Sequence, residues 1–203
     1  MRHLSRTLLL VVVFAATAAL AALQFPPLTG RVVDEANILS PATREQIASI
    51  LAAHEQKTTD QVVVATLASL QGTDIQDLGY QLGRAWGIGQ KGKDNGAILL
   101  VVPSARQVRI EVGYGLEDNL TDAMSRRIIE GVILPHFRQG DFNGGVRDGV
   151  VAMVQVIGGD ASSLPQEPRR QRHRNDDGFP VELILIILFF VFVGGRGVFW
   201  PMF

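Results

Sequence analysis

The 203-residue chain contains no cysteine and only four histidines. The absence of cysteine excludes a disulfide framework, a thiolate zinc site and a cysteine nucleophile. His54 and His136 stand apart in the sequence, with no catalytic or metal-binding pattern around them, so we interpret both as surface or core groups.

A cationic surface is missing from the middle of the chain. Residues 25–160 carry 16 acidic and 12 basic side chains, a net charge of −4, although the whole chain has a formal charge of −1. Binding of nucleic acid depends on neutralising phosphates with Lys and Arg. The composition of this region therefore argues against a nucleic-acid partner.

Two glycine patterns match nucleotide-binding loops in letters but lack their structural context. The stretch GIGQKG at 87–92 fits a dinucleotide-binding pattern, and Asp94 stands where a phosphate-binding loop has Ser or Thr. Both loops work only between a strand and a following helix. Here a helix precedes and a strand follows, so we expect no nucleotide cofactor. The glycines are expected to end the helix and shape the loop.

Both ends of the chain are hydrophobic. Residues 1–24 combine two arginines with an apolar run and small residues suited to cleavage, which predicts an export signal, with an uncleaved anchor as the alternative. Residues 161–180 resemble a polar, basic linker, and residues 181–197 are interpreted as a transmembrane helix. The tail at 198–203 looks truncated. We therefore expect a cell-membrane protein whose domain faces the periplasm or the extracellular side.

Residues 25–160 alternate between helical and strand-like patterns. The apolar stretches at 61–67, 97–102 and 107–112 predict strands. A strand–helix–strand unit implies a parallel pair, and the four-residue connection PSAR implies an antiparallel hairpin. Helical patterns begin at Ser40, at Ile75, at Thr121 or Asn119, and at Val146. The predicted fold class is α/β: a small mixed β-sheet sandwiched by about four α-helices, plus an N-terminal signal and a C-terminal hydrophobic helix.

The predicted hairpin brings two acidic loops together. Its strands are antiparallel and of similar length, so the loop before the first must lie beside the loop after the second. The third helix starts at the same place. The sequence therefore predicts one acidic, glycine-lined cleft. Its polar side chains would be Asp94, Asn95, Tyr114, Glu117, Asp118 and Asp122.

Several interpretations of these acidic side chains remain open. Carboxylate and amide oxygens suit a hard cation such as Ca²⁺ or Mg²⁺, which would relieve the repulsion between like charges. The N–H groups at the helix start could instead hold an anion, with Arg126 one turn along to neutralise it. Without a ligand, Asp122 would stabilise the helix dipole, and Glu117 and Asp118 would be solvated.

Four stretches in order along the chain resemble the TPM domain family. They are GRVVDEANILSPATREQI, WGIGQKGKDNGAILLVV, VRIEVGYGLEDNLTDA and ILPHFRQGDFNGGV. The resemblance covers residues 25–159 and implies an α/β sandwich. In that family some members are described as calcium-binding acid phosphatases, and others serve membrane-complex repair or act as auxiliary subunits of membrane proteins.

The resemblance also implies candidate residues. The metal ligands carried over are Asp94, Asn95, Glu117, Asp118 and Asp122. Asp34, in the matching VVDEANILS stretch, is interpreted as a turn residue, with an approach to the site as the alternative.

Two functional hypotheses follow from the residues and the resemblance. The first is an exported, membrane-tethered module that binds a Ca²⁺-type cation and assists membrane-protein complexes of the envelope. The alternative is a weak, metal-assisted acid phosphatase that hydrolyses phosphate monoesters. In that case Asp122 or Asp118 would act as base or nucleophile, and Arg126 would stabilise the developing charge.

Overall fold

The computed structural model describes residues 23–162 and 164–165, which belong to one compact unit that ends at Pro165. The predicted transmembrane helix and tail lie outside the described residues, as do the predicted linker from residue 166 onward and nearly all of the predicted signal. Within the described part, no helix combines the length and the apolar character that a membrane span requires. The predictions for both ends of the chain therefore stay predictions.

The core of the domain is a four-stranded sheet whose order in space follows the order in the chain. The first three strands run parallel, and the third and fourth are antiparallel. This confirms the parallel pair, the hairpin and the mixed sheet. The strands are β1 (Val32–Asp34), β2 (Gln61–Thr66), β3 (Gly96–Val102) and β4 (Gln107–Val112).

Helices cover both faces of this sheet. They are α1 (Pro41–Thr58), α2 (Ile75–Trp86), α3 (Asp122–Ile128), α4 (Leu134–Arg138) and α5 (Phe142–Ile157). A π-helical turn, Ile129–Ile133, joins α3 directly to α4. These three segments together make the predicted third helix, so the expectation of about four helices is confirmed.

Local signals fix where the helices begin and end. The Ser40 hydroxyl accepts a hydrogen bond from the Thr43 backbone N–H at 3.1 Å and caps α1. The Thr121 hydroxyl does the same for the Met124 N–H at 3.2 Å and caps α3. Gly87 ends α2 in the left-handed conformation, with φ 62°. The helix-ending role predicted for the glycines of the GIGQKG stretch is thus confirmed at this position.

The central strand β3 is buried along its whole length because helices lie on both of its faces. Its side chains alternate between two hydrophobic clusters. Leu99 and Val101 join the larger cluster with α1 and α5, whereas Ile98 and Leu100 join the smaller one with α2. This packing holds the start of β3, and with it the acidic loop before that strand, in a fixed position.

Candidate functional site

The two acidic loops lie side by side at one end of the hairpin. The Gly113 N–H donates to the Gly96 carbonyl at 2.7 Å, and the Gly115 N–H donates to the Asp94 carbonyl at 3.1 Å. A side chain at Gly113 would collide with the Asp94 carbonyl oxygen, and one at Gly115 would collide with the Lys93 carbonyl oxygen. The two glycines therefore allow the loop backbones to approach each other closely.

Asn95 holds the first loop from inside. It is only 5% exposed. Its side-chain N–H groups donate to the Thr59 carbonyl at 2.9 Å and to the Asp60 carboxylate at 3.1 Å. Its oxygen accepts from the Gln90 backbone N–H at 2.9 Å. These bonds give Asn95 a positioning role in the first loop. The role as metal ligand implied by the family resemblance stays a prediction and would use the second lone pair of the same oxygen.

Four carboxylates stand free on these loops. Asp94, Glu117, Asp118 and Asp122 are all exposed. Their side chains make no hydrogen bond or ion pair with any residue that the structure describes. None of the four carboxylates is therefore neutralised by a basic side chain that the structure describes. Their negative charge is available to a ligand.

The predicted single cleft is divided in two by the end of β4. One cleft, of about 540 Å³, is lined by Asp94 together with Tyr80 and Tyr114. The other, of about 280 Å³, is lined by Glu117 and Asp122. Asp118 lines neither of these two clefts. Across residues 23–165, apart from residue 163, no three His, Asp or Glu side chains are placed as a ready group of metal ligands.

Glu111 belongs to both clefts, and the sequence analysis did not assign it to the site. It lies on β4, where its carboxylate accepts from the Arg109 Nε at 2.6 Å. Arg109 and Glu111 therefore form an ion pair on the polar face of this strand. The alternation of β4 was the available signal, since it sets both side chains on the face opposite Ile110.

Asp34 does not approach these loops, which excludes the alternative place near the site and agrees with its interpretation as a turn residue. It ends β1 opposite Thr66, whereas the acidic loop leads into Gly96 beside Gln61 at the other end of β2. Six residues of strand separate the two ends by roughly 17 Å. The Asp34 carboxylate accepts from the backbone N–H groups of the following turn, at residues 38 and 39, and is therefore a turn residue.

Two further polar residues, Arg126 and His136, line neither of the two clefts. Arg126 is exposed on α3, and its side chain has no partner among the described residues. His136 sits between Asp141, at 2.9 Å, and Asp148, at 3.2 Å. The pKa of Asp141 is lowered, first by the hydrogen bond from the Gly144 N–H and second by the hydrogen bond with His136. His136 and its two carboxylates thus form a polar cluster at the surface.

These features define an α/β domain that carries two adjoining acidic loops at the open end of a hairpin. The model of the TPM domain matches residues 32–156, and the chain belongs to the TPM domain family. No curated protein matches the chain.

Solved structures of similar domains agree with this fold. The N-terminal domain of a protein from P. gingivalis, determined by solution NMR, is 37% identical, with a TM-score of 0.61. That similarity covers 68% of this chain and 88% of the other. The BA42 protein from Bizionia argentinensis, a psychrophilic bacterium, is 18% identical, with a TM-score of 0.52, and covers 64% and 86% of the two chains. This second likeness concerns the fold alone.

Proposed function

We propose that this chain is an exported, membrane-tethered TPM protein whose acidic loops bind a Ca²⁺-type divalent cation, and that it serves as an auxiliary module for membrane proteins of the envelope. One observation carries the proposal. The four exposed carboxylates on two joined loops have no basic partner among the described residues. A cation is the ligand that would offset this concentration of negative charge.

The donor chemistry of the loops fits a hard cation, which prefers carboxylate, carbonyl and water oxygens. Glu117 and Asp122 face the same cleft and would form the primary pair of ligands. Asp94 and Asp118 would join them only after the loops adjust. Because three acids do not already converge among the described residues, water would complete the coordination. This favours a weak, exchangeable site over a permanent structural ion.

The binding role uses the predicted tether at 181–197. An anchored domain stays close to the bilayer, which raises its effective concentration near membrane-protein partners. A cation that orders the acidic loops would then control the shape that the domain presents to such a partner.

The cation proposal is tested by calorimetric titration of residues 23–165 with Ca²⁺ after chelator treatment. The isolated domain is suitable because the described members of both hydrophobic clusters lie within it, and the similar domain from P. gingivalis was solved in isolation. We expect saturable binding with a Kd of about 10⁻⁴–10⁻³ M, the range of extracellular calcium modules. Asp122→Asn should weaken binding by roughly tenfold or more, since a charged ligand is lost.

A matched control is Glu45→Gln, which removes the same charge from an exposed position on α1, at the end of the sheet that carries Asp34. It should bind Ca²⁺ like the wild type. Absence of binding into the millimolar range, or equal loss in both variants, would show that the loop carboxylates are caps and solvated charges.

The phosphatase alternative has one supporting observation. Asp122 and Arg126 lie one turn apart on α3, both exposed and both unpaired among the described residues. Together they could position an anionic substrate beside a cation. Hydrolysis of p-nitrophenyl phosphate with and without Ca²⁺ tests this. Turnover that is abolished in Asp122→Asn and reduced in Arg126→Gln would favour the enzyme, whereas metal binding without turnover would favour the auxiliary module.

A further inference from the structure

Strand β4 forms a free edge of the sheet. Among the described residues, no strand pairs with its outer side. The Gly113–Gly96 hydrogen bond fixes the alternation of the ladder. It follows that the backbone groups of Val108, Ile110 and Val112 point away from β3. This edge has no proline and no lysine, which are common devices for blocking strand addition.

The sequence of this edge is symmetric in its chemistry. Residues 108–112 read Val-Arg-Ile-Glu-Val, with Ile110 at the centre. An antiparallel copy of the same strand, centred on Ile110, would place each valine opposite a valine. It would also place Arg109 opposite Glu111 of the second copy. Opposite charges facing each other across strands are favourable, and like charges are not.

The two ends of the edge carry opposite charges as well. Arg106 and Arg138 line a cleft of about 450 Å³ beside the start of β4. Glu117 and Asp122 line the cleft beside its end. A two-fold axis through Ile110 would bring the basic end of each copy against the acidic end of the other. The surface is therefore complementary to itself in antiparallel pairing, as an isologous interface requires.

We propose that β4 pairs with β4 of a second copy of this chain, antiparallel and centred on Ile110, which joins two four-stranded sheets into one. The three outward-facing residues of each strand supply the hydrogen bonds. The Ile110 side chain stays in the hydrophobic core, and only its backbone takes part. Arg109 and Glu111, with side chains 30% and 21% exposed and 2.6 Å apart, would form a two-by-two cluster of alternating charges with the same residues of the second copy.

The register is tested with cysteines, because the chain contains none of its own. One full chain carries Arg109→Cys and a second, with a different tag, carries Glu111→Cys. The two are co-expressed, solubilised in detergent and mildly oxidised. The proposed register puts these two positions directly opposite each other, whereas two copies of one variant place their cysteines on the diagonal, at about 7–8 Å. We expect roughly tenfold more disulfide between the two variants than within either one.

Glu45→Cys on α1 measures random collision in the same assay. Equal yields in all combinations, or preferential linkage between copies of one variant, would overturn the proposed register. Failure of the mixed pair to link above the Glu45→Cys background would overturn the interface itself.

Charge reversal gives a second test that does not rely on disulfides. Arg109→Glu sets like charges opposite each other on both sides of the axis, and it should weaken self-association of the full chain by roughly tenfold. Glu111→Arg should do the same. The double reversal restores opposite charges within and between copies and should recover wild-type association. A wild-type chain that stays monomeric by light scattering at every concentration would refute the proposal.

Discussion

His54 is a titratable side chain enclosed by the fold. It is 6% exposed, and its Nε2 lies 3.4 Å from the Thr58 hydroxyl and 3.8 Å from the Asp60 carboxylate. Burial lowers the pKa of His54 below its usual value of 6.5. Asp60 opposes this shift, and Lys57 adds to it. The charged imidazolium is therefore less stable in the folded domain than in the unfolded chain.

The domain should lose stability through His54 as the pH falls below 6.5. The unfolded chain takes up the proton first, because the pKa of His54 is lower in the folded state, and proton uptake by the unfolded state favours unfolding. The stability that depends on neutral His54 is fully present above pH 6.5. It is lost as the pH falls from 6.5 to the lowered pKa of His54 in the folded state. Urea unfolding at pH 7.5 and 5.0 should show a smaller pH-dependent loss in His54→Gln than in the wild type. An unchanged loss would show that His54 titrates normally.

At the residue scale, the sequence predicted the exposed acids better than the residues that support them. Asp94, Glu117 and Asp122 were identifiable because charged residues beside glycines predict surface loops. The support from Asn95 was not identifiable, since its partners at residues 59, 60 and 90 depend on tertiary packing. The sequence left open the alternative place of Asp34 near the site, because a family stretch identifies a residue without giving its position relative to distant loops.

At the element scale, the close approach of the two loops depends on glycine. Gly115→Ala should destabilise the domain by about 1–3 kcal/mol, because its new methyl group would meet the Lys93 carbonyl and force the loops apart. Gly30→Ala is the control, since a side chain there meets no atom within 4 Å. Denaturant unfolding measures both variants. Equal stabilities for the two would mean that the loops can separate at little cost.

The helix from α3 to α4 shows why element boundaries were only partly predictable. Pro135 lacks an N–H group and crowds the carbonyl four residues before it. The structure widens into the π-helical turn at Ile129–Ile133 directly before this proline. The apolar period predicted a helix here but could not give its local winding. Strand β1 was missed because three residues are too few to establish a period of two.

At the scale of the whole molecule, the proposed cation should stabilise the folded state, because it binds the assembled loops and not the unfolded chain. A ligand at ten times its Kd adds about 1.4 kcal/mol to the free energy of unfolding. Thermal unfolding of residues 23–165 should therefore shift upward with Ca²⁺ in the wild type. It should shift less in Asp122→Asn at the same concentration, with NaCl matched for ionic strength. Equal shifts in both proteins would indicate a general salt effect.

The overall architecture was predictable because several local patterns agreed with one another. The fully apolar β3 predicted helices on both faces, and the short PSAR connection predicted the hairpin beside it. The division of the cleft was not predictable, because it depends on how far Glu111 and the end of β4 project between the two loops. Such distances come from side-chain packing, which a one-dimensional pattern does not contain.

The joined loops also bear on the order in which the domain folds. Asp94 and Gly115 are about twenty residues apart in the chain and meet when a single hairpin closes, so their contact requires little loop-closure entropy. The pairing of β1 with β2 must instead close a connection that contains the whole of α1. Contacts between near neighbours in sequence form faster than distant ones. The acidic loops therefore belong to the part of the domain that can assemble first, before the β1 edge of the sheet is in place.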